Sequence, residues 1–177
     1  MGWAGVLQSC GVSDVASARL VRSLRACETA SLAFCRLLER WARGDPRPST
    51  AGRRQAALRR AAERVETALA DLEEPLERYL VELAGPDSVE GRPWYGQPGP
   101  GELVEWEPVL RRAGVRVASH RVAQAYLELA VLVRALQGLG AAAELGVEPD
   151  RASLWAGLFD LRENLFGAAE DLRALAA

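Results

Sequence analysis

Four segments of this chain place apolar residues at steps that alternate between four and three. The first runs Leu20, Leu24, Cys27, Ser31, Phe34, Leu38, Trp41, and the second Leu58, Ala62, Val65, Leu69, Leu72, Leu76, Tyr79, Leu83. The third is Ala118, Val122, Ala125, Leu129, Leu132, Leu136, Leu139, and the fourth Leu154, Leu158, Leu161, Leu165, Ala168, Leu172, Leu175. Steps of that kind keep every side chain on one stripe of an α-helix, whereas a half-buried strand would alternate every second residue. A helix with one apolar stripe must bury it against another, so four such segments predict a core built from helices alone.

Punctuation agrees with the stripes. Ser13 or Asp14, Ser49 or Thr50, and Asp150 or Ser153 are suited to cap helix starts, and Gly44 before Pro46 and Gly85 before Pro86 to end them. Gly138 and Gly140 are expected to close the third helix. Pro75 lies inside the second stripe, where a missing amide and a ring clash predict a kink or a break. A short amphipathic piece, Leu103, Trp106 and Leu110, stands before Gly114. The expected fold is all-α: an up-down-up-down four-helix bundle with a short extra helix in the long crossover between the second and third helices. It forms one domain over residues 1–177, with an N-terminal segment 1–12 and a Gly/Pro-rich crossover loop 85–101.

Composition narrows the function classes. Hydrophobic residues are 49% and charged residues 26% of the chain, which argues against disorder, and a net charge of −2 makes nucleic acid an improbable partner. No run approaches the roughly 20 apolar residues of a membrane span. The start lacks the basic and apolar regions of a signal peptide, and three cysteines, Cys10, Cys27 and Cys35, give an odd number. Reduced thiols and a cytoplasmic location are expected. All 22 basic residues are arginine, isoleucine is absent, and Asn164 is the one asparagine, a pattern that points to a GC-rich gene. A lysine-free chain also offers no internal ubiquitin acceptor.

Little in the sequence points to chemistry. There is no Glu-x-x-His motif for a metal-binding bundle and no Gly-rich phosphate loop, so no metal and no cofactor are expected. Arg116 and the single histidine, His120, are the candidates for catalysis. Their Arg-x3-His spacing resembles the Arg-x4–6-His motif of helical HEPN ribonucleases, which implies an arginine that stabilises a phosphorane and a histidine that moves protons. His120 lies about 160° from the core stripe, on the surface. An apolar-ligand pocket near Trp41 or Trp106 is the other alternative.

Two surfaces are left over. Arg53, Arg60 and Arg64 share the face opposite the second stripe, flanked by Arg54 and Arg59. They either form a solvated face, with Arg59–Glu63 and Glu74–Arg78 pairing at i,i+4, or dock an acidic partner. On the fourth helix Trp155, Phe159 and Phe166, with Arg162 between them, lie about 100–140° from the leucine stripe. Either Trp94 and Tyr95 of the crossover cover them or a partner does, self-association included. These features predict a non-enzymatic helical adaptor that binds another protein through the basic face, the aromatic face, or both.

Overall fold

The structure, a computed structural model, describes residues 2–44, 50–85, 90–95 and 104–177, and over them it is helical throughout, with no strand. Six helices follow in order: α1 (Trp3–Ser9), α2 (Asp14–Ala42), α3 (Ala51–Ala84), α4 (Trp106–Ala113), α5 (Ser119–Glu144) and α6 (Arg151–Ala176). Helix makes up 82% of the described residues. The caps follow the local chemistry. The Ala16 N–H donates to Ser13 Oγ at 3.4 Å, and the Ser153 N–H to the Asp150 carboxylate at 2.8 Å.

α3 does not break at Pro75. Proline lacks the N–H that would donate to the carbonyl four residues earlier, that of Asp71. Ser23 of α2 supplies the missing donor: its hydroxyl reaches the Asp71 carbonyl at 3.2 Å. One turn along the same contact the Cys27 thiol donates to the Ala68 carbonyl at 3.0 Å. α5 likewise runs past Gly138 and Gly140, where an end is expected, because Gly140 serves close packing: a β-carbon there would stand 3.4 Å from the Trp3 backbone of α1. α1 itself has no counterpart in the stripe analysis. It is seven residues long, and it is held by burial of Val6 and Leu7 and by the Tyr79 hydroxyl, which donates to the Leu7 carbonyl at 2.8 Å.

The long helices pack α2 on α3, α3 on α6, α6 on α5 and α5 on α2. The side-chain ties set the directions. Ser13 meets Glu82 while Cys27 meets Ala68, so α2 and α3 are antiparallel. Trp155 meets Leu80 while Arg173 meets Glu66, so α3 and α6 are antiparallel too. Arg121 ties the start of α5 to Asp171 near the end of α6. α3 and α5 therefore run the same way, and the order along the chain is up-down-down-up rather than the up-down-up-down expected from the stripes. Between α3 and α5, residues 90–95 lie along α6, where Gly91 abuts Ala152, and α4 sits against α2 and α5 at the other end.

Leu24, Phe34, Leu69, Leu129, Leu132, Leu161 and Leu165 are buried in one cluster with Tyr79, as the stripes require. By length and composition α5 is long and apolar enough to cross a membrane, contrary to the expectation from the sequence. Here its stripe, from Val122 to Leu139, is buried among α1, α2, α4 and α6.

Candidate functional surfaces

The seam between α3 and α6 is the most developed surface. In this antiparallel pair Glu66 meets Arg173 at 3.0 Å, and beyond that tie Ala70 and Glu73 of α3 face Ala169 and Phe166 of α6 across one groove. The two alanines leave the seam hollow, and a groove of about 120 Å³ opens over Leu69, Leu72, Leu76 and Leu165. Phe166 stands on its α6 wall at 42% exposure, with the Arg162 guanidinium 4.9 Å from the ring centre. Arg162 also pairs with Glu163 at 2.8 Å. Two turns earlier Phe159 is 39% exposed and stacks on Trp155, with centroids 5.0 Å apart and planes 10° from parallel. The Trp155 indole N–H donates to the Leu80 carbonyl of α3 at 3.2 Å, which fixes the stack on the α3 side of α6. The groove itself was not legible beforehand. Its signal was the pair of small residues, Ala70 and Ala169, beside the leucine stripes.

Trp94 and Tyr95 do fold onto α6, but not over these rings. The Trp94 indole rests on Gly157, where any β-carbon would overlap it, and the Tyr95 ring meets it edge-on at 5.1 Å. The Tyr95 hydroxyl donates to Asp160 Oδ2 at 2.6 Å and lies 3.2 Å from the Gly157 carbonyl. Burial, and then this bond to Asp160, push its pKa well up. Gly157 and Asp160 lie on the α5 side of α6, and Phe159 and Phe166 on the α3 side, about 100° or more around the helix. Internal cover of the aromatic face by the crossover is thus corrected: the two pairs of rings occupy opposite flanks. The rest of the crossover loop, residues 86–89 and 96–101, lies outside the described residues.

Arg53, Arg60 and Arg64 are all exposed on the outer face of α3, and among the described residues none has an ion-pair partner. Arg54 reaches the Arg112 carbonyl of α4. The local pairs expected on this helix form differently. Glu74 pairs with Arg19 of α2 at 3.4 Å, and Arg78 with Glu82 at 3.3 Å.

Arg116 and His120 flank the start of α5, and both are exposed. The Arg116 N–H donates to Gln55 Oε1 at 3.3 Å. The two residues line adjoining open depressions that share Arg111 and Ser119, and no hydrogen bond joins them to each other. Trp106 is 3% exposed and packs edge-on to Tyr126, with centroids 5.0 Å apart, while Trp41 is half-buried against the core. Among the described residues no group of three or more His, Cys, Asp or Glu could hold a metal ion.

Glu128 of α5 offers a separate test of the packing. Its Oε1 accepts from Gln124 Nε2 at 2.6 Å, but Oε2 is buried with no partner, close against Gly167 of α6. Burial raises its pKa. A raised carboxyl pKa means that the folded chain holds the proton more tightly than the unfolded chain, so this group's contribution to stability falls as pH climbs from the ordinary carboxyl pKa through the raised one. Glu128→Gln mimics the protonated form. It is expected to melt higher than wild type at pH 7, with the gap closing below about pH 4. A gap that is constant with pH would place the carboxylate in solvent.

Compared with protein-family models, curated proteins and solved structures, the chain matches none.

Proposed function

We propose that this chain is a non-enzymatic helical adaptor, a four-helix bundle with a short extra helix in its crossover, that binds another protein through the aromatic face of α6 and the basic face of α3. One observation carries the reading: Phe166 stands 42% exposed on the rim of an open groove, and Phe159, seven residues earlier on α6, is 39% exposed, although Trp94 and Tyr95 of the same chain already lie on α6. Partly buried aromatics on a groove rim, next to an arginine, are what interface hot spots are made of. Three arginines without ion-pair partners on the outer face of α3 supply a second contact for an acidic surface. A cytoplasmic setting suits the three free thiols. Burial pushes Cys27 and Cys35 up to about 12, which keeps both protonated and unreactive.

The test is affinity capture from the native source with three baits: wild type, Phe159→Asp/Phe166→Asp, and Arg53→Glu/Arg60→Glu/Arg64→Glu. A protein retained stoichiometrically by wild type is expected to be lost from the first variant and weakened in the second, more so at higher salt. All baits should melt within a few degrees of one another. Equal retention by all three would remove both surfaces from the function.

A further inference from the structure

We infer that the groove between α3 and α6 takes a basic amphipathic helix from a partner protein. The inference rests on the interaction reading above and adds the chemistry of the partner. Three observations lead to it.

The first is shape. Both walls are helices with their backbone hydrogen bonds made internally, so there is no sheet edge to which a strand could add. The floor between Glu66 and Leu76 runs about 15 Å, or three helical turns. Ala70 and Ala169 both line the groove and let a third backbone approach, and Phe166 stands on its α6 wall with the exposed Phe159 seven residues earlier on the same helix. A helix with apolar side chains at i, i+3 or i+4, and i+7 matches that spacing.

The second is charge. Both arginines on the groove are already engaged, Arg173 with Glu66 and Arg162 with Glu163 and the Phe166 ring. Glu73 on the α3 wall, Glu77 one turn further along α3 and Glu170 one turn after Phe166 on α6 are exposed and, among the described residues, have no ion-pair partner. The rim is therefore left with an unbalanced negative charge around an apolar floor. Arginine or lysine flanking the partner's apolar stripe would meet it, and glutamate there would be repelled.

The third is what the same charges do to a second copy. Two such rims face to face would bring six unpaired carboxylates together, so a closed dimer through this face is disfavoured. The basic face of one copy on the groove of the next is a head-to-tail contact, which builds a ring or an open filament rather than a simple pair.

The experiment measures fluorescence anisotropy of labelled synthetic helices against the full chain at about 0.15 M salt. The probe has about 18 residues, with leucines on one stripe and arginines on its flanks. One control carries glutamate in place of arginine; a second keeps the composition and scatters the leucines. The probe is expected to bind about tenfold or more tighter than either control. Glu73→Arg/Glu77→Arg/Glu170→Arg should lose that advantage and favour the glutamate peptide, Phe166→Asp should abolish binding, and Arg60→Glu should change nothing. The scattered peptide binding as well as the probe would overturn the inference, since charge alone would then explain it. The glutamate peptide binding as tightly, still lost in Phe166→Asp, would overturn the basic partner and leave the interaction reading standing. No Phe166-dependent binding of any helix would overturn the groove as a helix site, and the capture experiment then decides the broader reading by itself. Scattering that grows with concentration and vanishes in Arg53→Glu/Arg60→Glu/Arg64→Glu would overturn it in favour of a second copy.

Discussion

Phe34→Ala is expected to cost about 3–5 kcal/mol, the range for a buried phenylalanine cut back to a methyl. Phe34 has no exposed surface and sits on the α2 stripe, within the cluster that all four long helices share. The substitution loses the transfer free energy of the ring and leaves a cavity that helices braced on every side cannot collapse to fill. For a chain of this length the loss should lower the melting temperature by about 10 °C or more, read by far-ultraviolet circular dichroism. Phe34→Leu keeps most of the volume and should cost less than about 1.5 kcal/mol. A loss below about 1 kcal/mol for the alanine variant would mean that the ring is not in the core.

The second large effect is at Gly157. On helix propensity alone, replacing a mid-helix glycine with leucine should stabilise by nearly 1 kcal/mol. The structure reverses that sign, because the Trp94 indole occupies the space that a side chain would take. Gly157→Leu should expel the indole and break the Tyr95 bonds to Gly157 and Asp160, for a net loss of about 1–3 kcal/mol. Tryptophan emission should shift to the red, and chymotrypsin should cut after Trp94 and Tyr95 faster than in wild type. The control is Gly157→Leu/Trp94→Ala: with the ring removed, the leucine has room. The double variant should therefore be more stable than the sum of the single losses implies. Additive losses would separate the two residues.

These two sites mark where the sequence could and could not be read. Phe34 declares itself, because its position on a stripe of steps four and three leaves one face to bury. Gly157 does not: glycine in a helix reads as a weak point, and nothing local shows that a tryptophan 63 residues away has taken its place. Direction was hidden for a related reason. The apolar period is the same in whichever sense a helix runs, so the order of the helices depends on the connection. α3 is about 51 Å long at 34 residues, and the 33 residues between Gly85 and Val117 are long enough to return over that distance or to stay at one end. No break follows Pro75, and the reason is remote from it in sequence. The donor for Asp71 comes from Ser23, on another helix. The exposed arginines and aromatics were found because a surface position follows from its angle to the stripe alone, whereas the α3/α6 groove needed the register of two helices.

The up-down-down-up order divides the molecule's contacts by range. α2 with α3, and α5 with α6, join neighbours along the chain, whereas α3 with α6 and α2 with α5 join the two halves. Each pair of neighbours needs only a short loop to close, so its formation is entropically easy and quick. Neither hairpin buries its stripe alone, since each helix of one needs a helix of the other. The contact pattern predicts that docking of the two hairpins is the slow step of folding, so core substitutions between hairpins should slow refolding more than those within one. The groove offered to a partner is cut across that same junction, with one wall from each hairpin, so it comes into being only when folding is complete.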